Sequence, residues 1–330
     1  MSELREYHSK LLSEDNILAL EQADVTTVDA LLYQDATRLH DKTKLPVDLI
    51  QRIQRDLQKY FCATPVLASD HYQSQLRAPL LPTRCCLDLL LGGGLATGEL
   101  TELVGPTSCG KTQMAMFTSL QLAKHHGISV LYIDTSSAFS ADRVVEMHKY
   151  QLVAECQEGF EPVDTDQSIL AILDRIKWHN CYDPMKLIEI LENTHIALES
   201  KSSEFYDRLK LIVVDSVGTL LSSTLGGKST HGHFVMMRIA RLLKSIADHH
   251  QIAVLVTNNT VGADDQNGQN KSGHKPGLGE SWAAVSNHQL MLDCEFNDDE
   301  NIERSIMLEK STRYRTNQRC LFTIDPYGIH

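Results

Sequence analysis

The sequence predicts an α/β protein, a mostly parallel sheet flanked by helices with antiparallel strands at its edge, behind a small all-helical N-terminal domain. Three observations lead there. From residue 83 to 330, short apolar runs alternate with amphipathic segments, as they do when helical crossovers connect parallel strands. Residues 1–60 carry helical spacing without strand alternation. Between them, residues 61–82 lose periodicity and contain Pro65, Pro79 and Pro82, which exclude long regular elements and mark a linker.

Taken in order, the first region places Leu11, Leu12, Ile17, Leu18 and Leu20, then Val28, Leu31 and Leu32, then Leu49, Ile50, Ile53 and Leu57 at helical intervals. Ser13, ahead of Glu14 and Asp15, suits a helix N-cap, and Pro46 suits the first turn of the last helix. In the second region the strand-like runs are Leu100–Val104, Val130–Ile133, Leu211–Val214 and Ile252–Val256. A helix from Gly232 to Asp248 sets Val235, Ile239, Leu242 and Ile246 on one face and Arg238, Arg241 and Lys244 on another. That basic row reads first as a solvated face, with a binding role as the alternative. Three further strand candidates, His288–Cys294, Ser305–Lys310 and Cys320–Ile324, read as antiparallel additions to the sheet edge.

Composition removes several classes of function. No apolar run approaches the roughly 20 residues that span a bilayer, and the start, MSELREYHSK, is not a secretory signal, so a soluble protein with no membrane partner is expected. Eight cysteines without any C-x-x-C match neither a disulfide framework nor a zinc site, which points to a reducing compartment, cytosol or nucleus. A formal net charge of −12 argues against a general basic coat for nucleic acid, so any DNA contact is local. The fifteen histidines are scattered or lie in pairs and match no metal-ligand spacing.

The segment Gly105-Pro106-Thr107-Ser108-Cys109-Gly110-Lys111-Thr112 satisfies G-x-x-x-x-G-K-[ST] in full, after a strand and before a helix. Its glycines let the loop curl so that backbone N–H groups point at phosphate oxygens, and the helix N-terminus adds its dipole. Lys111 places a cation on the β and γ phosphates, and Thr112 offers a hydroxyl to Mg²⁺. A second acidic group is required at the end of an apolar strand, and Leu211-Ile212-Val213-Val214-Asp215 supplies it, holding the metal through water. Hydrolysis also requires a group that orients the attacking water. It belongs at the end of the strand beside the phosphate loop, Leu131 to Phe139, where no glutamate stands. ATP and Mg²⁺ are therefore the expected ligands.

With these residues in place the chain resembles the RecA family, specifically the eukaryotic and archaeal strand-exchange recombinases and their paralogues, over nearly its whole length. The segments that carry the likeness are GGGLATGELTELVGPTSCGKTQ, VLYIDTSSAFSADRV, LKLIVVDSVGTLL, MMRIARLLKSIADHHQIAVLVTNN and KPGLGESWAAVSNHQLMLD. The last is most similar to the paralogues, the D-type above all. The resemblance implies a RecA-like P-loop ATPase core. It also implies that Asn258 and Asn259 lie where relatives sense the γ-phosphate, and that the linker holds an interaction strand.

Departures from the family pattern shape the expectation. The family's water-activating glutamate corresponds to Ser136, and an arginine packed near the adenine falls at Ser140. The glycine-rich DNA-binding hairpin corresponds to Lys42-Thr43-Lys44-Leu45-Pro46, without glycine. The linker lacks a Phe-x-x-Ala arrangement: Phe61 is followed at the fourth place by Thr64, and Val66-Leu67-Ala68-Ser69 has no aromatic. Two segments, 222–233 with Lys228 and 261–279 with Lys271 and Lys275, correspond to mobile DNA-facing loops, and their compositions suit flexible chain. The likeness thus implies a nuclear, ATP-binding accessory subunit of homologous recombination. It would meet a C-type paralogue through its core and an X-ray-cross-complementing-type paralogue through its N-terminal domain and linker. In that assembly it would assist the main recombinase on single-stranded DNA, with at most weak DNA-dependent ATPase activity of its own. An autonomous DNA-stimulated ATPase or strand-exchange enzyme, and a RecA-like regulatory NTPase unrelated to DNA, are the competing readings.

Overall fold

The computed structural model describes residues 4, 11–61, 65–157, 165–225, 231–262, 274–296 and 302–330. The chain divides into two compact units, Met1–Ser74 and Gln75–His330. In the first, the helices Glu14–Gln22, Val28–Leu32, Ala36–Thr43 and Val47–Phe61 bury Leu20, Leu31, Leu39, Ile50, Ile53 and Leu57 almost completely. Thr27 and Asp35 cap the second and third helices, Thr27 accepting the Ala30 N–H and Asp35 those of Thr37 and Arg38. Ser13 stands at the first N-cap but its side chain makes no capping bond. Pro46 sits just ahead of the last helix and accepts the N–H groups of Leu49 and Ile50. In the stretch Lys42–Pro46, Lys44 closes the third helix at φ +60°, a left-handed conformation that glycine adopts more readily.

The segment assigned to a linker is not free of regular structure. A helix runs from Ala68 to Arg77, because Pro65 and Pro79 bracket this stretch and neither enters it.

The strands are β1 Leu80–Leu81, β2 Leu95–Ala96, β3 Leu100–Gly105, β4 Ser129–Asp134, β5 Ile176–Asn180, β6 Leu209–Asp215, β7 Ala253–Gly262, β8 His274–Pro276, β9 His288–Phe296, β10 Ile302–Ser311, β11 Gln318–Phe322, β12 Ile324–Asp325 and β13 Gly328–Ile329. Among the described residues the main sheet runs β11-β10-β9-β3-β7-β6-β4-β5, with β8 paired to β7. The neighbours from β9 to β5 are parallel; only β10, β11 and β8 run against their partners. The strand at His288–Phe296 therefore differs from the antiparallel expectation, since it lies parallel to β3. Short polar turns told where it ends and not which neighbour it joins.

Both faces of the sheet are covered, and strand alternation divides the core. Val130, Tyr132, Leu211, Val213 and Leu255 pack toward the helix Lys111–His125. Leu131, Ile133, Ile212, Val214, Val254 and Val256 pack toward the helices Pro184–Glu199 and His231–His250. That is why these strands read as continuous apolar runs. Of the basic row on His231–His250, Arg238 is paired with Glu192 of the neighbouring helix at 2.5 Å, in keeping with a surface role. Strand β5 left no apolar run to find: only Ile176 is half-buried, and Lys177, Trp178, His179 and Asn180 are exposed at the sheet edge.

The two supposed loops are shorter than expected. The helices Val217–Leu225 and His231–His250 occupy most of 222–233, and β7 and β8 pair across the base of 261–279, Val261 opposite Lys275. Lys228 and Lys271 lie outside the described residues. No helix among the described residues is long and apolar enough to cross a membrane.

Candidate nucleotide-binding site

Strand β3 is buried on both faces and ends at Gly105, and the helix Lys111–His125 begins six residues later. The intervening turn is too tight for ordinary side chains at its hinges. A Cβ on Gly105 would lie 2.5 Å from the carbonyl oxygen of Leu292, and one on Gly110, at φ +103°, would lie 2.6 Å from Ile324 Cδ1. Ser108 also takes a left-handed conformation, φ +68°. The helix's first backbone bond runs from Met114 N–H to Gly110 O. The N–H groups of Lys111, Thr112 and Gln113 thus lack helical acceptors and form a concave, electropositive end suited to an anion.

Lys111 is 8% exposed, and its ammonium donates to the carbonyls of Gly105 (2.7 Å) and Pro106 (2.6 Å). These bonds hold the cation over the loop, and burial lowers its pKa from the ordinary lysine range. Cys109 is buried beneath, where burial raises its thiol pKa. Thr107, Ser108, Gly110, Lys111 and Thr112 line a cleft of about 370 Å³. Pro106 and Cys109 shape the turn without lining the cleft.

Across the cleft stands Asp215, the last residue of β6. Its carboxylate accepts a hydrogen bond from the phenol of Tyr132 (2.8 Å) and another from the hydroxyl of Thr257. Tyr132 is fully buried, and burial together with the charge of Asp215 holds its pKa well above the usual range, so it remains a donor. The peptide joining Asp215 to Ser216 is cis. Thr135 ties the ends of β4 and β6, its N–H donating to Asp215 O and its hydroxyl to Ser216 O, both at 2.8 Å. A carboxylate fixed by two donors, in the cleft that Thr112 also lines, suits outer-sphere binding of a hydrated Mg²⁺.

Ser136 lines the same cleft. The turn that presents it is organised by Asp134, whose carboxylate accepts the N–H groups of Ser136, Ala138 and Phe139 at 2.9, 3.2 and 3.0 Å. The turn thus brings Ser136, which carries a hydroxyl and no carboxylate, to the cleft. Ser140 caps the next helix through the Arg143 N–H. One turn on, the Arg143 guanidinium reaches Gln113 Oε1 (3.0 Å) and the carbonyl of Asp325 (2.5 Å).

Asn258 does not join the cleft. Alternation along β7 sends Thr257 and Asn259 to the side of Asp215 and Asn258 to the other. Asn258 is fully buried and donates to Glu102 Oε1 at 2.9 Å, while Asn259 lines the cleft. Tandem asparagines in the sequence carried no mark of which faced inward. Arg304, which sequence reasoning passed over, also lines the cleft. Lys275 lies on β8, paired with Val261.

A parallel sheet with a phosphate loop after its first long strand, a paired acid ending a neighbouring strand and antiparallel strands on one edge define a RecA-like P-loop protein. The Rad51 family profile matches residues 83–330. The chain belongs to the Rad51 family. It is 41% identical to the probable DNA repair protein RAD51 homolog 4 of Dictyostelium discoideum, across 99% of this chain and 97% of that one. It is 31% identical to the DNA repair protein RAD51 homolog 4 of Bos taurus, across 95% and 92%. Among solved structures, the RadB recombinase shares the fold at a TM-score of 0.57 and 24% identity, across 76% of this chain and 98% of that one. RecA-like recombinases bind ATP with magnesium as a family.

Proposed function

We propose that this chain binds ATP with Mg²⁺ and acts as an accessory subunit of homologous-recombination DNA repair in the nucleus, within a heteromeric assembly of paralogues that assists the main strand-exchange recombinase on single-stranded DNA. The observation that carries this reading is the contrast inside one cleft. The phosphate cradle and Asp215 are fully formed, while Ser136 stands on the turn where a base would be. The likeness to proteins named DNA repair RAD51 homolog 4 supports the repair role. Thr112 would ligate the metal directly and Asp215 through water. Bound Mg²⁺ would screen the triphosphate charge, while Lys111 and the loop N–H groups orient it.

Strand β5 supports a partner contact through the core. Val130 N–H bonds Arg175 O and Cys181 N–H bonds Asp134 O, so the odd-numbered residues face β4. The N–H and C=O groups of Ile176, Trp178 and Asn180 then point outward, with no strand on that side among the described residues. Such an edge can accept a strand from another chain through main-chain bonds, with Trp178, 48% exposed, as a side-chain anchor. The C-type paralogue is assigned to this edge, and the X-ray-cross-complementing-type paralogue to residues 1–82.

The test is co-purification of the full chain with each candidate partner. Trp178→Pro removes one outward N–H at an edge position that tolerates proline, and Trp178→Ala removes only the ring. Trp178→Pro should lose the core-bound partner while retaining the other, with ATP affinity unchanged and Trp178→Ala intermediate. Retention of both partners by Trp178→Pro would show that β5 is not the contact. Failure of the parent chain to capture any paralogue would remove the assembly reading altogether.

A further inference from the structure

Arg304 lies on β10, opposite Cys294 of β9 and Phe322 of β11. Residues 304, 306 and 308 share one face by strand alternation, and Ile306 and Leu308 pack into the core cluster of the helix Lys111–His125. Arg304 therefore projects on the side of the phosphate loop. Its neighbour Cys294 lies near the carboxyl end of β9, and β9 is parallel to β3, so Arg304 also sits at the loop's end of the sheet. This is the edge at which open α/β sheets place their ligands.

The side chain is only partly exposed, and its Nε is buried with no hydrogen-bond partner. Among the described residues no carboxylate pairs with it, whereas Lys111 is held by two carbonyls and Arg143 by four groups. A buried guanidinium N–H without an acceptor is costly unless a ligand supplies one. The geometry matches a planar donor directed into an anion site from the edge opposite Asp215.

We propose that Arg304 is a second phosphate-binding cation of this cleft, contacting the nucleotide's phosphate chain from the antiparallel edge of the sheet. The inference rests on the nucleotide reading and deepens it. Lys111 supplies the cation at the loop, and Arg304 supplies the one at β10. The four negative charges of a triphosphate are then met by Lys111, Arg304 and the divalent ion together.

The experiment is equilibrium binding of ATP and of AMP in Mg²⁺ buffer to the full chain, to Arg304→Gln and to Arg304→Lys, with thermal unfolding of each in the absence of nucleotide. Arg304→Gln should weaken ATP binding by roughly 10-fold or more, the effect of losing a charge-assisted contact. AMP should lose less, Arg304→Lys should recover part of the ATP affinity, and the unfolding midpoint should stay within a few degrees. ATP affinity within twofold of the parent in Arg304→Gln would overturn the proposal. So would an equal loss for ATP and AMP with a large drop in the midpoint, which marks a structural role. If the parent chain itself binds no ATP, the nucleotide reading fails first, an outcome distinct from either of these.

Discussion

Lys111→Ala is expected to weaken ATP binding by on the order of 100-fold, corresponding to about 3 kcal/mol of charge-assisted contact to the triphosphate. The substitution removes the buried cation of the phosphate loop. It also frees the carbonyls of Gly105 and Pro106, to which Nζ donates at 2.7 and 2.6 Å. The strands that flank the loop keep their main-chain pairing, β3 with β7 and β7 with β6, so the fold should be retained. Titration with labelled ATP measures the loss, and thermal unfolding without nucleotide provides the control. An alanine variant that binds ATP as tightly as the parent would mean that the cleft at β3 is not the nucleotide site.

Glu102→Ala should be the most destabilising single change in the core. Glu102 is fully buried on β3, and its carboxyl accepts from Asn258 Nδ2 (2.9 Å), Trp282 Nε1 (3.0 Å) and Gln289 Nε2 (3.0 Å). Burial raises its pKa above the usual carboxylate range, against the lowering effect of these donors. Truncation leaves three buried donors without an acceptor, each costing about 1–3 kcal/mol, and opens a cavity besides. A loss of roughly 4 kcal/mol or more follows, on the order of 10 °C in the unfolding midpoint of a unit this size. Glu102→Gln keeps one acceptor oxygen and should cost less. A Glu102→Ala midpoint within two or three degrees of the parent would show that the network contributes little.

The fold was legible where burial is symmetric. The cores of β3, β4, β6 and β7 are apolar because helices cover both faces, and the observed strands begin and end within two residues of the apolar runs, except that β7 continues six residues past Val256 to Gly262. It was illegible where a strand has one neighbour. In β5 the sequence Ile176-Lys177-Trp178-His179-Asn180 has no apolar stretch, because its exposed positions answer to solvent and not to packing. The partner of β9 was equally hidden, since parallel and antiparallel pairing differ in neighbour and not in residue type. The helix Ala68–Arg77 was missed because prolines flanking a segment say little about its interior.

For the site, the phosphate loop and Asp215 were readable from spacing, since few other sequences satisfy that chemistry. Tyr132 and Thr257, which fix the carboxylate of Asp215, had no signal beyond their strand positions. The opposite fates of Asn258 and Asn259 are a consequence of strand parity, which could be derived from Thr257 facing Asp215 but not from the asparagines themselves. Arg304 is separated from Lys111 by 193 positions in sequence, and only the order of the sheet brings it to the cleft.

The central claim, a complete phosphate cradle without its own positioned base, is tested most directly by the rate of ATP hydrolysis of the purified chain at saturating ATP and Mg²⁺, with and without single-stranded DNA. With Ser136 in place of a carboxylate, turnover should fall short of a base-assisted rate by about 10²- to 10⁴-fold, and single-stranded DNA should not restore it. Rapid, DNA-stimulated hydrolysis by the isolated chain would contradict the account.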